Sequence, residues 1–185
     1  MNAKFEFTGE KKVVFGITLN RIRAVAELNT MFGIVAKGEL GGWLEKEENL
    51  QVFGNAWVYG NAQVSGDAQV SGDAQVYGNA QVSGDAQVSG YARVYGNDKL
   101  KITPINIIGL AWGVTITPTH MVIGCERHSH VDSSKFNTKR IETMSNNAVH
   151  FWKQHKAMLL ALCKSHAKAK CYSTPQYPTS PVASG

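Results

Sequence analysis

Four sets of residues in this 185-residue chain have types and spacing that could do chemistry. The most compact is His120, Cys125 and His128, with His130 just beyond. Zinc would need three or four such ligands converging, and a Cys–His pair can make an activated thiolate. The competing expectation is a strand end at Ile123-Gly124-Cys125 with a buried thiol, and a His128 that hydrogen-bonds locally, because Cys is among the most buried residue types. The sequence leaves the metal question open.

The second set forms two columns. Tyr59, Tyr77 and Tyr95 are 18 residues apart, and so are Trp57, Gln75 and Arg93. Rings, amides and guanidinium groups suit flat rings, sugars or phosphates. They suit subunit interfaces more often, and a groove between copies could serve both uses. The ligand-binding set expected is Trp57, Tyr59, Tyr77, Arg93, Tyr95 and Arg127. The third possibility is acyl transfer, which needs a general base within reach of its acceptor. All six histidines (120, 128, 130, 150, 155 and 166) fall outside residues 52–97, and no long loop interrupts that stretch to build an acceptor site. No catalytic residue is assigned and no cofactor is expected. Asp67, Asp73 and Asp85 could meet a cation, but carboxylates at turns are usually turn formers. The fourth set is basic. Residues 145–171 hold five lysines and no acid, which accounts for the whole net charge of +5. A Lys-rich amphipathic helix can meet nucleic acid or a membrane surface, but its aromatic face argues for docking on its own protein, and no nucleic-acid motif accompanies it.

The element that must position these residues is a repeat. Residues 52–97 hold seven six-residue units and the start of an eighth, with Val at 52, 58, 64, 70, 76, 82, 88 and 94. Ala precedes each later Val by two positions, and Gly-Asn or Gly-Asp follows, except at Tyr91. Ala-x-Val alternates inward, outward, inward as a short strand does, and the Gly-Asn or Gly-Asp pair turns the chain. A fixed short period marks a solenoid. The slower 18-residue period sets three sides per coil, so residues 18 apart should stack.

The V-x-G-[ND]-A-x units resemble the hexapeptide repeats of left-handed parallel β-helix proteins, and left-handedness is implied by that resemblance alone. Phe5–Glu10, Arg21–Val25, Gly41–Leu50 and Ile116–His128 look like segments of small phage and prophage hexapeptide-repeat proteins, often labelled acetyltransferases or polymer-forming proteins. The resemblance covers roughly residues 4–130, and the His-x4-Cys-x2-His run is similar in those proteins. It implies a homotrimer with prisms side by side. The fold expected is an all-β solenoid of two to three triangular coils, with β caps and a C-terminal amphipathic helix.

The expected division is an N-terminal β cap (1–50), the coil (51–98), a C-terminal β cap (99–131), a helical segment (132–171) and a disordered tail (172–185). Within the first cap a hairpin is expected across Thr8–Lys11, a strand at Phe32–Val35, and Trp43 as plug of the open end. Ile105, Ile107, Ile108, Leu110 and Trp112 should cover the other end. A short helix is expected after Asn137 or Thr138, and a longer one from Asn146 to about Lys168, with Ala148, Phe151, Trp152, His155, Leu159 and Leu162 on one face. No apolar stretch is long enough for a transmembrane helix and no signal peptide is apparent. With three cysteines, reduced thiols in a cytoplasm are the default. The functional expectation is a non-enzymatic, oligomeric, phage-encoded binding protein holding a small polar or nucleotide-like ligand at subunit interfaces. A CoA-dependent acyltransferase and a ligand-free structural oligomer are the alternatives.

Overall fold

The computed structural model describes residues 3–145 and 147–168. Its centre is built from two-residue strands, one per hexad: β6 (Trp57–Val58), β7 (Gln63–Val64), β8 (Gln69–Val70), β9 (Gln75–Val76), β10 (Gln81–Val82), β11 (Gln87–Val88), β12 (Arg93–Val94) and β13 (Lys99–Leu100). Every pairing among them is parallel and 18 residues in register, as in Gln63↔Gln81↔Lys99, Gln69↔Gln87 and Trp57↔Gln75↔Arg93. Three strands per coil give three sides, and the chain makes about three turns of a β-solenoid. The Ala and Val of each unit from Ala56 to Val94 are fully buried. Corners are tight because glycine stacks on glycine: Gly66 has φ +65, and a Cβ there would lie 3.1 Å from the Gly84 nitrogen. That leaves little space for a side chain on an inter-coil ladder of hydrogen bonds such as Gln63 N–H to the Ala80 carbonyl at 2.9 Å.

The first coil departs from the period. Leu44 pairs with Val64 and Leu50 bridges to Val70, both 20 residues apart, whereas Trp57 pairs with Gln75, 18 apart. Two extra residues, Val52 and Phe53, therefore leave the wall, 39% and 86% exposed. The repeat thus does not start at Val52; Leu50, fully buried, takes the inward slot.

The N-terminal cap joins the coil edge to edge. Strands β1 (Phe5–Val14) and β2 (Ile17–Ala24) form a hairpin whose turn is Phe15-Gly16, both at positive φ, and not Thr8–Lys11. At Thr8 the side-chain oxygen accepts from the Glu10 N–H, and the register slips between Phe7 and Lys11, so this stretch is a bulge within one strand. A second hairpin, β3 (Leu28–Thr30) with β4 (Gly33–Val35), overhangs the third side of the coil. Strand β5 (Leu40–Leu44) pairs antiparallel with β2 and parallel with β7, so cap and coil share one six-stranded sheet. Parity decides what plugs the open end: Leu44 faces inward with Val64, so Trp43 must face outward. Its ring lies under Lys12 and Arg21 (4.1 and 5.1 Å), and Phe5, Ile22, Leu44, Leu50 and Trp57 fill the end instead.

The other end is closed by polar groups. The Gln87 N–H donates to Thr103 Oγ1, the Arg93 N–H to Thr115 Oγ1, and Asn106 Nδ2 to the Ser89 carbonyl. These side chains engage groups of the last coil's exposed edge. The following meander is β14 (Ile105–Ile107), β15 (Val114–Ile116), β16 (His120–Ile123) and β17 (Glu126–Ser129). Ile105, Ile107, Leu110 and Trp112 pack into a second core with the helices, and Ile108 is exposed, so none of these closes the coil as expected from sequence. Three helices follow: α1 (His130–Ser134), α2 (Thr138–Glu142) and α3 (Ala148–Lys168). Helix α1 is not expected from the sequence pattern, although Ser129 caps it by accepting from the Asp132 N–H, a Ser-x-x-Asp signature. Phe151, Trp152, Leu159 and Cys163 bury the inner face of α3, and burial pushes the Cys163 thiol up to about 11. Asn146, Cys171 and the tail at 172–185 lie outside the described residues. No helix among those described is long and apolar enough to cross a membrane.

Candidate functional site

The two columns stand on the third side of the coil, between the β3–β4 hairpin and the β16–β17 hairpin. Parallel register stacks Trp57, Gln75 and Arg93 in that order. The upper two are sealed. Trp57 is fully buried with its ring against Gly41, where a Cβ would come within 2.8 Å of it. Gln75 is also buried, its Nε2 donating to the Asn55 and Asp73 carbonyls at 3.1 and 3.0 Å. Only Arg93 reaches solvent.

In the neighbouring column Tyr77 and Tyr95 stack at 4.5 Å and 9° between planes, one rung apart. Tyr59 does not continue the stack. Its hydroxyl donates to Thr30 Oγ1 at 2.8 Å, and Phe32 of the hairpin presents an edge-to-face contact to both Tyr59 and Tyr77. The Arg127 guanidinium lies 5.3 Å from the Tyr95 ring centre. Burial raises the Tyr77 and Tyr95 hydroxyls, with each other's charge adding at Tyr77 and Arg127 opposing at Tyr95. Both therefore remain neutral hydrogen-bonding groups near pH 7.

Arg127 and Arg93 differ in how they are compensated. Arg127 Nη2 donates to Asp98 Oδ1 at 2.9 Å, and that buried carboxylate oxygen also meets His120 Nδ1 at 2.9 Å and accepts from Thr119 Oγ1 at 3.2 Å. Arg93 has no carboxylate within ion-pairing distance among the described residues. Its Nη1 donates to the Gly124 carbonyl at 2.7 Å, its Nε lies 3.1 Å from Met31 Sδ, and its guanidinium carbon is 5.2 Å from the Phe32 ring centre. Beside it opens a cup of ≈ 330 Å³ lined by Met31, Tyr91, Arg93, Ile108, Thr115 and Val122, with three glycines completing the wall. Phe32, Met31, Tyr91 and Thr115 were not identified as site residues from sequence. Only Tyr91 carried a signal, as the residue that replaces Asn or Asp after a repeat glycine.

The His120, Cys125 and His128 run is not brought together. In the β16–β17 pairing Val122 is opposite Arg127 and Met121 opposite His128, so Arg127 and His120 share one face. His128 points to the other, where its ring meets Phe136 at 4.7 Å. Cys125 sits exposed at the hairpin tip, its carbonyl accepting from the Tyr95 hydroxyl at 3.4 Å. Among the described residues no group of three His, Cys, Asp or Glu side chains could hold a metal ion. The thiol expected to be buried is thus exposed, and the histidines serve separate neighbourhoods.

A family model described as the YdcK Beta solenoid repeat matches residues 50–66, 62–78, 68–84 and 74–90. Together with the stacked parallel strands, these matches define the class: a repeat β-solenoid protein, similar over its coil to that repeat. No curated protein matches the chain. The matched stretches end at residue 90, one position before Tyr91 and three before Arg93.

Proposed function

We propose that this chain is a non-enzymatic binding protein that holds a small polar, nucleotide-like ligand where the third side of the coil meets its two caps. The observation that carries this reading is convergence. Arg93 from the coil, without a carboxylate partner among the described residues, meets Phe32 of the β3–β4 hairpin beside an open cup, and the Tyr77–Tyr95 stack with Arg127 of the C-terminal sheet walls the same face. Cationic donors beside aromatic rings in a partly enclosed surface are the chemistry of an anionic ring compound's site. Sequestration of a host messenger by a phage-encoded trimer is the sharpest form of the proposal. It rests on the resemblance of the flanking segments. The amide row Gln69–Gln87 is the surface on which copies would pack.

Native mass spectrometry of the purified protein tests this directly by reporting subunit count and co-purified ligand together. A bound nucleotide recovered intact after denaturation is the expected result, with thermal stabilisation by the same compound. Recovery of a chemically altered compound, or stabilisation by acetyl-CoA alone, would overturn it.

A further inference from the structure

The repeat breaks its own pattern twice in one unit, and both breaks line the same cavity. Residues 88–93 read VSGYAR where the preceding unit reads VSGDAQ. Tyr91 takes the turn position and Arg93 the outward strand position, and both line the cup beneath the β3–β4 hairpin. Neither change serves the coil. Tyr91 is 54% exposed, and the buried Ala and Val that hold the unit in place are unchanged.

Arg93 is arranged as a fixed cation. Its backbone is held by Thr115 and its Nη1 by the Gly124 carbonyl, while Phe32 lies across the guanidinium and Met31 sits at Nε. Its Nη2 has no acceptor among the described residues. A half-buried guanidinium without a carboxylate partner keeps its full charge in a medium less polar than water, which favours an anion. Arg127 cannot play this part, since Asp98 already compensates it. The cup wall beside Arg93 is open: a Cβ built at Gly109 or Gly113 would meet nothing within 4 Å. Its rim carries Tyr91 and Ile108, the latter 64% exposed. By contrast the Tyr77–Tyr95 stack is saturated, with Phe32 at one end and Arg127 at the other, so a ring has no bare face there.

Resting on the binding role proposed above, we infer that the Tyr91–Arg93 cup is the ligand's anion seat. It takes a carboxylate or phosphate monoester on Arg93 Nη2, joined to a flat ring that packs on Tyr91 and Ile108. The site follows from the two pattern breaks; the stacked tyrosines are scaffold.

The test uses the repeat's own residues. Arg93→Gln and Tyr91→Asn each restore a residue found at that position in other units, so both variants should fold. Binding of adenosine monophosphate and phenyl phosphate is measured by titration calorimetry and thermal shift, with adenosine and inorganic phosphate as half-ligands. The wild-type protein should bind both whole probes and hold either half-ligand more weakly. Arg93→Gln should weaken binding about tenfold or more, the usual scale for a lost charged hydrogen bond, and Tyr91→Asn by a smaller factor. Equal binding by wild type and Arg93→Gln, or loss in Arg127→Gln alone, overturns the seat but leaves the binding role standing. A protein that carries a co-purified small molecule but responds to no probe likewise overturns the anion assignment alone. A bare protein that responds to none overturns both.

Discussion

The coil has a plain side and a furnished side, made from the same hexad. On the plain side the outward column reads Gln69, Gln87, and no ring contact falls on it among the described residues. On the furnished side the outward column reads Trp57, Gln75, Arg93, with tyrosines beside it and a hairpin closing over each end. The inward residues are identical in kind on both sides. The fold therefore constrains only Val, Ala and Gly, and the outward positions are free to carry other roles. The difference between the sides is a difference in substitutions that the coil tolerates without needing them.

The sharpest way to break this comparison is to write the same residue at two places in one column. Trp57→Gln installs the consensus amide, yet Trp57 is a fully buried member of the capping core. Loss of such a ring costs about 3 kcal/mol or more, so the melting temperature should fall by many degrees, whereas Arg93→Gln should leave it nearly unchanged. Equal effects would show that the furnished side is uniform scaffold. The next largest effect belongs to the opposite edge of the cap. Lys4 is buried with its Nζ donating to the Gln51 carbonyl at 2.9 Å, and desolvation pulls its ammonium down to about 8 against the attraction of Asp73. Below pH 8 both folded and unfolded chains are protonated and the burial cost is constant. From about 8 toward the unfolded value of 10.5 the folded chain sheds the proton first. Stability should therefore rise with pH across that window, by up to about 1.4 kcal/mol per unit. Near and above pH 10 the raised Tyr77 and Tyr95 hydroxyls oppose it, because the unfolded chain ionises first. Denaturant midpoints from pH 7 to 10 check this, and Lys4→Met should flatten the rise. Asp98→Asn comes third. It removes the charge that compensates Arg127 and touches His120, and since both partners are partly solvated the cost should be about 1–2 kcal/mol. A shift in tyrosine fluorescence should accompany it, because Arg127 lies on the Tyr95 ring.

Period and parity made the coil readable from the chain alone: eighteen-residue spacing places Tyr77 on Tyr95 and puts Trp57, Gln75 and Arg93 in one column, but it also predicts Tyr59 on Tyr77, a stack that Tyr59 does not continue. What periodicity cannot carry is what lies over a column. Nothing in the spacing says that Phe32 reaches across Tyr77, or that Trp57 is sealed while Arg93 is open, because those depend on hairpins without a repeat. Trp43 departs from its expected place as plug for the same reason. Its parity is fixed only through Leu44 pairing with Val64, across an insertion that shifts the register by two. The His120, Cys125 and His128 run misled in a simpler way, since close spacing in sequence becomes opposite faces once the segment is a hairpin. Tyr91, by contrast, was visible as an exception to the repeat, and exceptions to a repeat are where a site can be sought.

The smallest effect should come from the insertion itself. Removing Val52 and Phe53 leaves Leu50-Gln51-Gly54-Asn55-Ala56-Trp57-Val58, which is the repeat's own pattern with Leu in the first Val slot. The flanks are already in their rungs: the Gln51 N–H donates to the Val70 carbonyl at 2.9 Å, and Asn55 Nδ2 donates to Asp73 Oδ1 at 2.9 Å. Neither Val52 nor Phe53 belongs to the buried core, so their loss shortens an exposed loop without emptying it. A change within about 1 kcal/mol is expected, with the entropy of a shorter loop favouring the deletion. Thermal melts of the deletion variant check this. A variant that fails to fold would mean that the extra residues set the angle at which the N-terminal cap meets the coil. The hairpin over Arg93 would then depend on a corner on the far side of that cap. A variant with an unchanged melt but a lower subunit count would instead place Phe53, 86% exposed, in the contact between copies, and move the plain and furnished sides apart in role as well as in residue type.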